Sequence, residues 1–525
     1  MSDSKFKVLF VYPNFPMSHM LLPAGVAILS AVLKENDIDV RLFATTLYLD
    51  DGKTFDEIRE SLSQLKRTKV DDLVQDRSAI PINDFNKLLD NYQPDLIAIS
   101  LLEDTVSMGL PYVEIAKERG IPVVAGGVYP TFNPDEILKN DAIDIVCIGE
   151  GENALVSLCK ALASREPINK IKNLHVKNKD GSITRNPLGP LVNVNELPFA
   201  DYDIFQAERF YRPMQGKVLR MLPVEMHRGC PYKCAFCEDP SQNLLYKNAG
   251  VAKTYHRTKS PQRLIDEIQY FVDKYEANYI YFNAETFFAM PHSDFLELAE
   301  LYEKQIGLPF WLQTRPETIT EQRVALLKKM NVSNINVGLE HGNETFRANV
   351  LNRRMRNEKV VDGLKILNDA EIPVTVNNIM GFPDETRELV FDTIELNRQV
   401  KTATINAYLY NPYQGTQLYD VCKEKGYLSN DDDEKFVDVA LSTEKFAYFK
   451  TCLRMPTISP EELVGLQKTF VLYAKLPRSE FDRIRIAEKN DDAGIEMFAE
   501  LNEQYADIIA GKVTLDEDVL GYLTD

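Results

Sequence analysis

The sequence predicts a mixed α/β protein in three parts: a doubly wound (Rossmann/flavodoxin-like) domain in front, a partial (β/α)6 TIM-like barrel in the middle, and an α-helical domain at the C-terminus. Two observations carry this. Short, continuously apolar runs alternate with helical segments up to about residue 425, the pattern of parallel strands covered on both faces. At 525 residues the chain is also too long for one core, so two to four domains are expected. The divisions fall at 1–165 (front domain), 166–215 (linker), 216–425 (barrel) and 426–525 (helical domain).

In the front domain, residues 6–12 read as a buried strand, followed by a helix from about Ala24 to Lys34 and a second strand, Asp39–Phe43. A charged insertion with helical segments (Phe55–Leu65, Asn83–Leu89) precedes the third strand, Asp95–Ser100. A helix near Val106–Lys117, a fourth strand Pro122–Ala125, a fifth Asp144–Ile148 and a helix Ala154–Ala163 complete it. Ligands of such sheets bind beyond the carboxyl ends of the strands. Those ends carry Ser100 after strand three, Gly126, Gly127 and Thr131 after strand four, and Gly149, Glu150 and Gly151 after strand five. Glycine there lets the backbone approach a ligand closely. The linker is marked by Pro167, Pro187, Pro190 and Pro198 and reads as turns.

The barrel opens on the strand Leu222–His227 and a loop holding Cys230, Cys234 and Cys237 in CxxxCxxC spacing. Three thiolates suit three irons of a cubane cluster, with the fourth iron left open. Zinc is the competing metal; it usually takes four Cys or His ligands, and no second CxxC follows. Five more strands are expected at Tyr279–Phe282, Phe310–Gln313, Asn334–Val337, Val374–Met380 and Thr404–Tyr410. In barrels the chemistry sits at the carboxyl ends. Those ends present Glu285, Arg315, Glu340, an Arg353–Arg356 stretch with guanidinium forks suited to a carboxylate, and the Asn377–Pro383 segment.

The cysteine loop, with Phe236 before its last Cys, resembles the radical S-adenosylmethionine (SAM) superfamily. The strand ends of the front domain, with Leu22–Leu33 and Pro122–Thr131, resemble the cobalamin-binding domain that precedes many such modules. The resemblance to cobalamin-dependent radical SAM enzymes covers about residues 6–425 and implies three cofactors: a [4Fe–4S] cluster, SAM and cobalamin. It implies that Cys230, Cys234 and Cys237 hold the cluster. Phe236, Glu285, Arg315, Glu340, Arg356, Asn377 and Gly381 would contact SAM, and the front-domain residues named above would line the cobalamin site. Two departures stand out: Ala284 replaces a second acid, and no Asp-x-His-x-x-Gly supplies a lower cobalt ligand, His19 being wrongly spaced.

The implied activity is methylation of an unactivated carbon or phosphorus of a small molecule, lipid or peptide, with a flavodoxin or ferredoxin as electron donor. Oxidative cyclisation of the tetrapyrrole-cyclase type is the alternative, and a cobalamin sensor the non-enzymatic one. Methylthiotransfer to tRNA would need a second three-Cys site, which Cys147 and Cys159 do not make. A net charge of −19 argues against nucleic acid as a partner. No apolar run is long enough for a membrane span and no signal region opens the chain, so a cytoplasmic protein is expected. Ser459-Pro460-Glu461-Glu462 starts a helix in the last domain, which is expected to close over the open barrel.

Overall fold

The computed structural model describes residues 5–15, 22–48, 55–64, 80–214, 216–428 and 451–509. His19, Leu65 at the end of the first insertion helix, and residues 429–450 and 510–525 of the C-terminal domain lie outside them.

The front sheet contains β1 (Lys7–Tyr12), β2 (Asp39–Ala44), β3 (Leu96–Ser100), β4 (Val123–Gly126), β5 (Ile145–Cys147), β6 (Leu174–Lys177) and β7 (Ile183–Arg185), in the order β2-β1-β3-β4-β5-β6-β7. β1 lies inside the sheet, between β2 and β3, and its apolar run feeds both faces: Val8 and Phe10 pack under the helices Ala24–Glu35 and Glu152–Ser164, while Leu9 and Val11 pack under Pro81–Tyr92 and Val106–Glu118. The strand order reverses between β2 and β3 on either side of β1, which opens a crevice at the carboxyl edge. The stretch expected to be only turns supplies β6 and β7, which extend this sheet antiparallel.

The second sheet contains β8 (Tyr211–Met214), β9 (Lys217–Glu225), then, beyond the two-stranded pair β10 (His227–Arg228) and β11 (Arg257–Thr258), β12 (Tyr279–Asn283), β13 (Phe310–Thr314), β14 (Val332–Glu340), β15 (Val374–Met380) and β16 (Thr404–Leu409). Six parallel strands run from β9 to β16, and β8 adds an antiparallel edge; the barrel is open. Ser260 caps the helix Pro261–Tyr275 by accepting from the Arg263 N–H, as its position before a proline predicts. Ser459 likewise caps Pro460–Lys475. That helix packs on the β15–β16 side, with Leu463, Leu466 and Phe470 wholly buried, each worth about 1.5–3 kcal/mol. Helices Phe481–Ala487 and Asp492–Ile509 follow.

The linker is clamped between the two sheets. Asp201 accepts from Ser30 and Lys34 of the front domain, both at 2.6 Å, and Tyr202 donates to the Pro223 carbonyl of β9 at 2.8 Å. Among the described residues no helix is long and apolar enough to cross a membrane.

Candidate functional site

β9 ends at Glu225, and the chain turns through β10 into the cysteine loop. Gly229 makes the turn at φ 78°, with the Tyr255 ring so close that a Cβ would fall 2.6 Å from it, so a side chain here has no room. The loop is strapped down by backbone bonds: Ala235 N–H to Leu351 O at 3.0 Å, Leu418 N–H to Ala235 O at 3.0 Å and Cys237 N–H to Cys234 O at 3.2 Å. Cys234 is buried, and Cys230 and Cys237 are half-buried. Arg315, after β13, donates to the Cys234 sulfur at 3.2 Å and lies 3.9 Å from the centroid of the Tyr232 ring. Burial pushes the Cys230 thiol up to about 12 and raises Cys237 as well, with Asp239 adding to the latter. Bare thiols here keep their protons, and metal binding displaces them. Three thiols on eight consecutive residues, with Cys234 acting on both Cys230 and Cys237 and a guanidinium at the Cys234 sulfur, have the donor chemistry of an iron–sulfur cluster with three protein ligands.

The other barrel ends surround this loop. Glu285 lies 3.1 Å from His227 Nε2 and is 43% exposed, so its carboxylate retains an open side. Glu340 holds a left-handed backbone (φ 66°), uncommon for a residue with a side chain, and pairs with Arg353 at 3.2 Å. Phe236 packs 5.7 Å from Phe382. Gly381 (φ 84°) and Phe382 both donate backbone N–H groups to Glu385, which also meets His341 at 3.0 Å; Glu385 and His341 are wholly buried. Asn377 accepts from Asn406 at 2.8 Å, and Asn406 accepts from Arg59 of the front-domain insertion at 2.7 Å. Arg356 is not brought to the site: its side chain is 70% exposed beside Glu358, while Arg353 of the same stretch is 4% exposed and turned inward.

The carboxyl edge of the front sheet docks on these ends. Gly127 (φ 113°) permits close packing of the β4 and β3 ends, since a Cβ would sit 2.5 Å from Leu101 O. Thr131 donates to Gly127 O at 2.8 Å and accepts from the Gly149 N–H at 3.0 Å, joining the β4 and β5 turns. Ser100 and Gly126 end paired strands at the same edge. Gly151 starts the helix Glu152–Ser164 and approaches Leu29. Glu150 spends its carboxylate on protein: Arg228 at 3.1 Å, Arg257, and the Val192 N–H at 2.9 Å. Its own N–H donates to the Tyr246 hydroxyl at 2.8 Å. Farther round, Asp104 accepts from Asn411 and Tyr413, both at 3.0 Å, and Glu103 accepts from the Gln414 N–H at 2.9 Å.

Sequence reasoning missed Arg257 and Glu385, gave no role to Arg228 and His341, and picked Arg356 rather than Arg353 from the stretch 353–356. Only Arg228 carried a local signal, a cation two residues before the first loop cysteine.

Residues 19–159 match the family model of the B12 binding domain, and residues 224–396 that of the radical SAM superfamily. The chain is 24% identical over 437 residues to the anaerobic magnesium-protoporphyrin IX monomethyl ester cyclase of Rubrivivax gelatinosus, covering 80% of this chain and 70% of the relative. It is 24% identical over 355 residues to an uncharacterized methyltransferase of Pyrococcus horikoshii, covering 67% and 73%. The fold is similar to that of TsrM, a radical S-adenosylmethionine methyltransferase from Kitasatospora setae solved with cobalamin and a [4Fe–4S] cluster bound; the TM-score is 0.62 at 14% identity, over 96% of this chain and 100% of that one.

Proposed function

We propose that this chain, a radical SAM enzyme with a B12-binding domain ahead of its radical SAM domain, transfers a methyl group to an unactivated carbon or phosphorus of a small molecule, lipid or peptide. Its cofactors are a [4Fe–4S] cluster, SAM and cobalamin. The observation that supports methyl transfer best is the docking of the two carboxyl edges: the β5 turn meets the entry to the cysteine loop through Glu150 and Arg228, and the β3 turn meets the end of β16 through Asp104 and Asn411. A corrin and SAM held at the two edges would be brought together there.

When bound, the cluster supplies an electron for cleavage of SAM, and cobalamin supplies the methyl group. The chain's own residues bind and orient. Cys230, Cys234 and Cys237 would hold three irons, and Arg315 would offset thiolate charge at Cys234. Glu285 would accept from the SAM ammonium on its open side, and Glu340, fixed by Arg353, would accept from the ribose hydroxyls. Glu385 and His341 fix the Gly381–Phe382 backbone, which would lie against the adenine. The helix Pro460–Lys475 presses Leu463 against Gly381 and keeps water from that side.

The test is anaerobic turnover with a reduced flavodoxin or ferredoxin. Methyl transfer forms S-adenosylhomocysteine and 5′-deoxyadenosine in equal amounts with the methylated product. Formation of 5′-deoxyadenosine with no S-adenosylhomocysteine overturns it and favours cyclisation, the reading that the Rubrivivax relative supports.

A further inference from the structure

Most buried cations of this chain are answered. Arg228 meets three carboxylates, Arg315 has Glu317 and the Cys234 sulfur, Arg353 has Glu340, and Arg347 donates to the carbonyls of His341 and Met355. Arg209 is the contrast. It is 5% exposed, and none of its three guanidinium nitrogens has a hydrogen-bond partner among the described residues. Its guanidinium carbon stands 5.1 Å from the Phe205 ring, an apolar neighbour that accepts no hydrogen bond in the plane of the fork. The titratable group that acts on its charge is Tyr12, the last residue of β1, at the carboxyl edge of the front sheet.

Leaving five N–H donors and a full charge in a dry seam is costly unless something fills the fork. The backbone gives Arg209 little freedom to swing into water. It lies in the short helical turn Ala207–Phe210, where its N–H bonds Gln206 O at 3.0 Å, and the linker there is clamped between Ser30, Lys34 and β9. A planar fork of this kind suits a two-oxygen anion, a phosphate or a carboxylate.

We propose that Arg209, with Tyr12 beside it, is a buried oxyanion subsite at the seam between the two domains, filled by the phosphodiester of cobalamin's nucleotide tail. The phosphodiester is the one anionic group on that cofactor's periphery, and Arg209 lies beside the end of β1, at the edge where sheets of this kind bind ligands. The linker would then be part of the cofactor site and not a spacer. The proposal uses only the B12-binding domain and stands apart from the choice between methyl transfer and cyclisation.

The test compares cobalamin with cobinamide, which keeps the corrin and lacks the nucleotide and its phosphate. Both affinities are measured by absorbance titration of the anaerobically purified full chain. Arg209→Gln is expected to weaken cobalamin roughly ten- to hundredfold and to leave cobinamide unchanged, so that cobinamide binding also certifies the fold of the variant. Arg209→Lys, which keeps the charge but not the fork, is expected to lose less. An equal loss for both corrinoids, no loss for either, or a Lys variant as weak as the Gln variant overturns the proposal.

Discussion

Replacing Glu150 by Gln removes one charge from a buried cluster and keeps its shape. Removing one partner of a buried pair costs about 3–5 kcal/mol, because the charge left behind stays out of water. Arg228 keeps Glu152 at 2.7 Å and Glu225 at 3.1 Å, so the loss falls on Arg257. The low end, about 3 kcal/mol, is therefore expected. With an unfolding entropy of about 2.1 cal/mol/K per residue over a front unit of about 180 residues, this lowers Tm by about 8 °C. The assay is calorimetry of the apoprotein across pH. Burial works to raise the Glu150 carboxyl, but hydrogen bonding and attraction from Arg257 and Arg228 outweigh it and hold it below its ordinary value. Such a group stabilises the fold above its unfolded pKa, about 4.3, and that contribution is lost as pH falls through the lower folded value. The gap between wild type and Glu150→Gln should be full near pH 7 and close at a pH below about 4. A drop under about 2 °C near neutrality, or a gap that persists undiminished in acid, would refute the reasoning.

Three further outcomes follow from the same geometry. Cys234→Ala should lose most of its iron and all 5′-deoxyadenosine formation, read by iron assay and chromatography. Glu385→Gln removes the charged acceptor of the Gly381 and Phe382 N–H groups; a loss of about 1–3 kcal/mol predicts SAM binding weaker by roughly five- to hundredfold with iron content unchanged, measured by equilibrium dialysis. Arg315→Met takes a positive charge from beside the Cys234 sulfur, so the cluster's reduction potential should fall, as followed by a spectroscopic redox titration; an unchanged or higher potential counts against the placement.

How much of this could be read without coordinates depended on distance along the chain. The cysteine loop is contiguous, and the parallel strands announce themselves as unbroken apolar runs, so both were legible. β6 and β7 were not: Leu174–Lys177 alternates buried and half-buried residues over only four positions, and its partner Ile183–Arg185 is shorter still. Choosing among the arginines of 353–356 failed for a different reason. The guanidinium that turns inward, Arg353, is matched by Glu340, thirteen residues earlier, and follows Asn352, which takes a left-handed backbone (φ 50°) and ties its side chain to Lys233 O. Glu150, flanked by glycines at a strand end, looks like a ligand contact because its partners Arg228 and Arg257 stand 78 and 107 residues away.

The short insertion helix Phe55–Ser61 carries an engineering consequence. Through Arg59 it reaches Asn406 on the barrel's last strand, and just beyond its end Ser63 donates to Asn502 of the helix Asp492–Ile509 at 2.8 Å. Three stretches far apart in sequence thus meet at one joint. The protein is accordingly not a set of interchangeable cassettes: a chimera that imports a relative's tail to change specificity would have to import that relative's insertion as well.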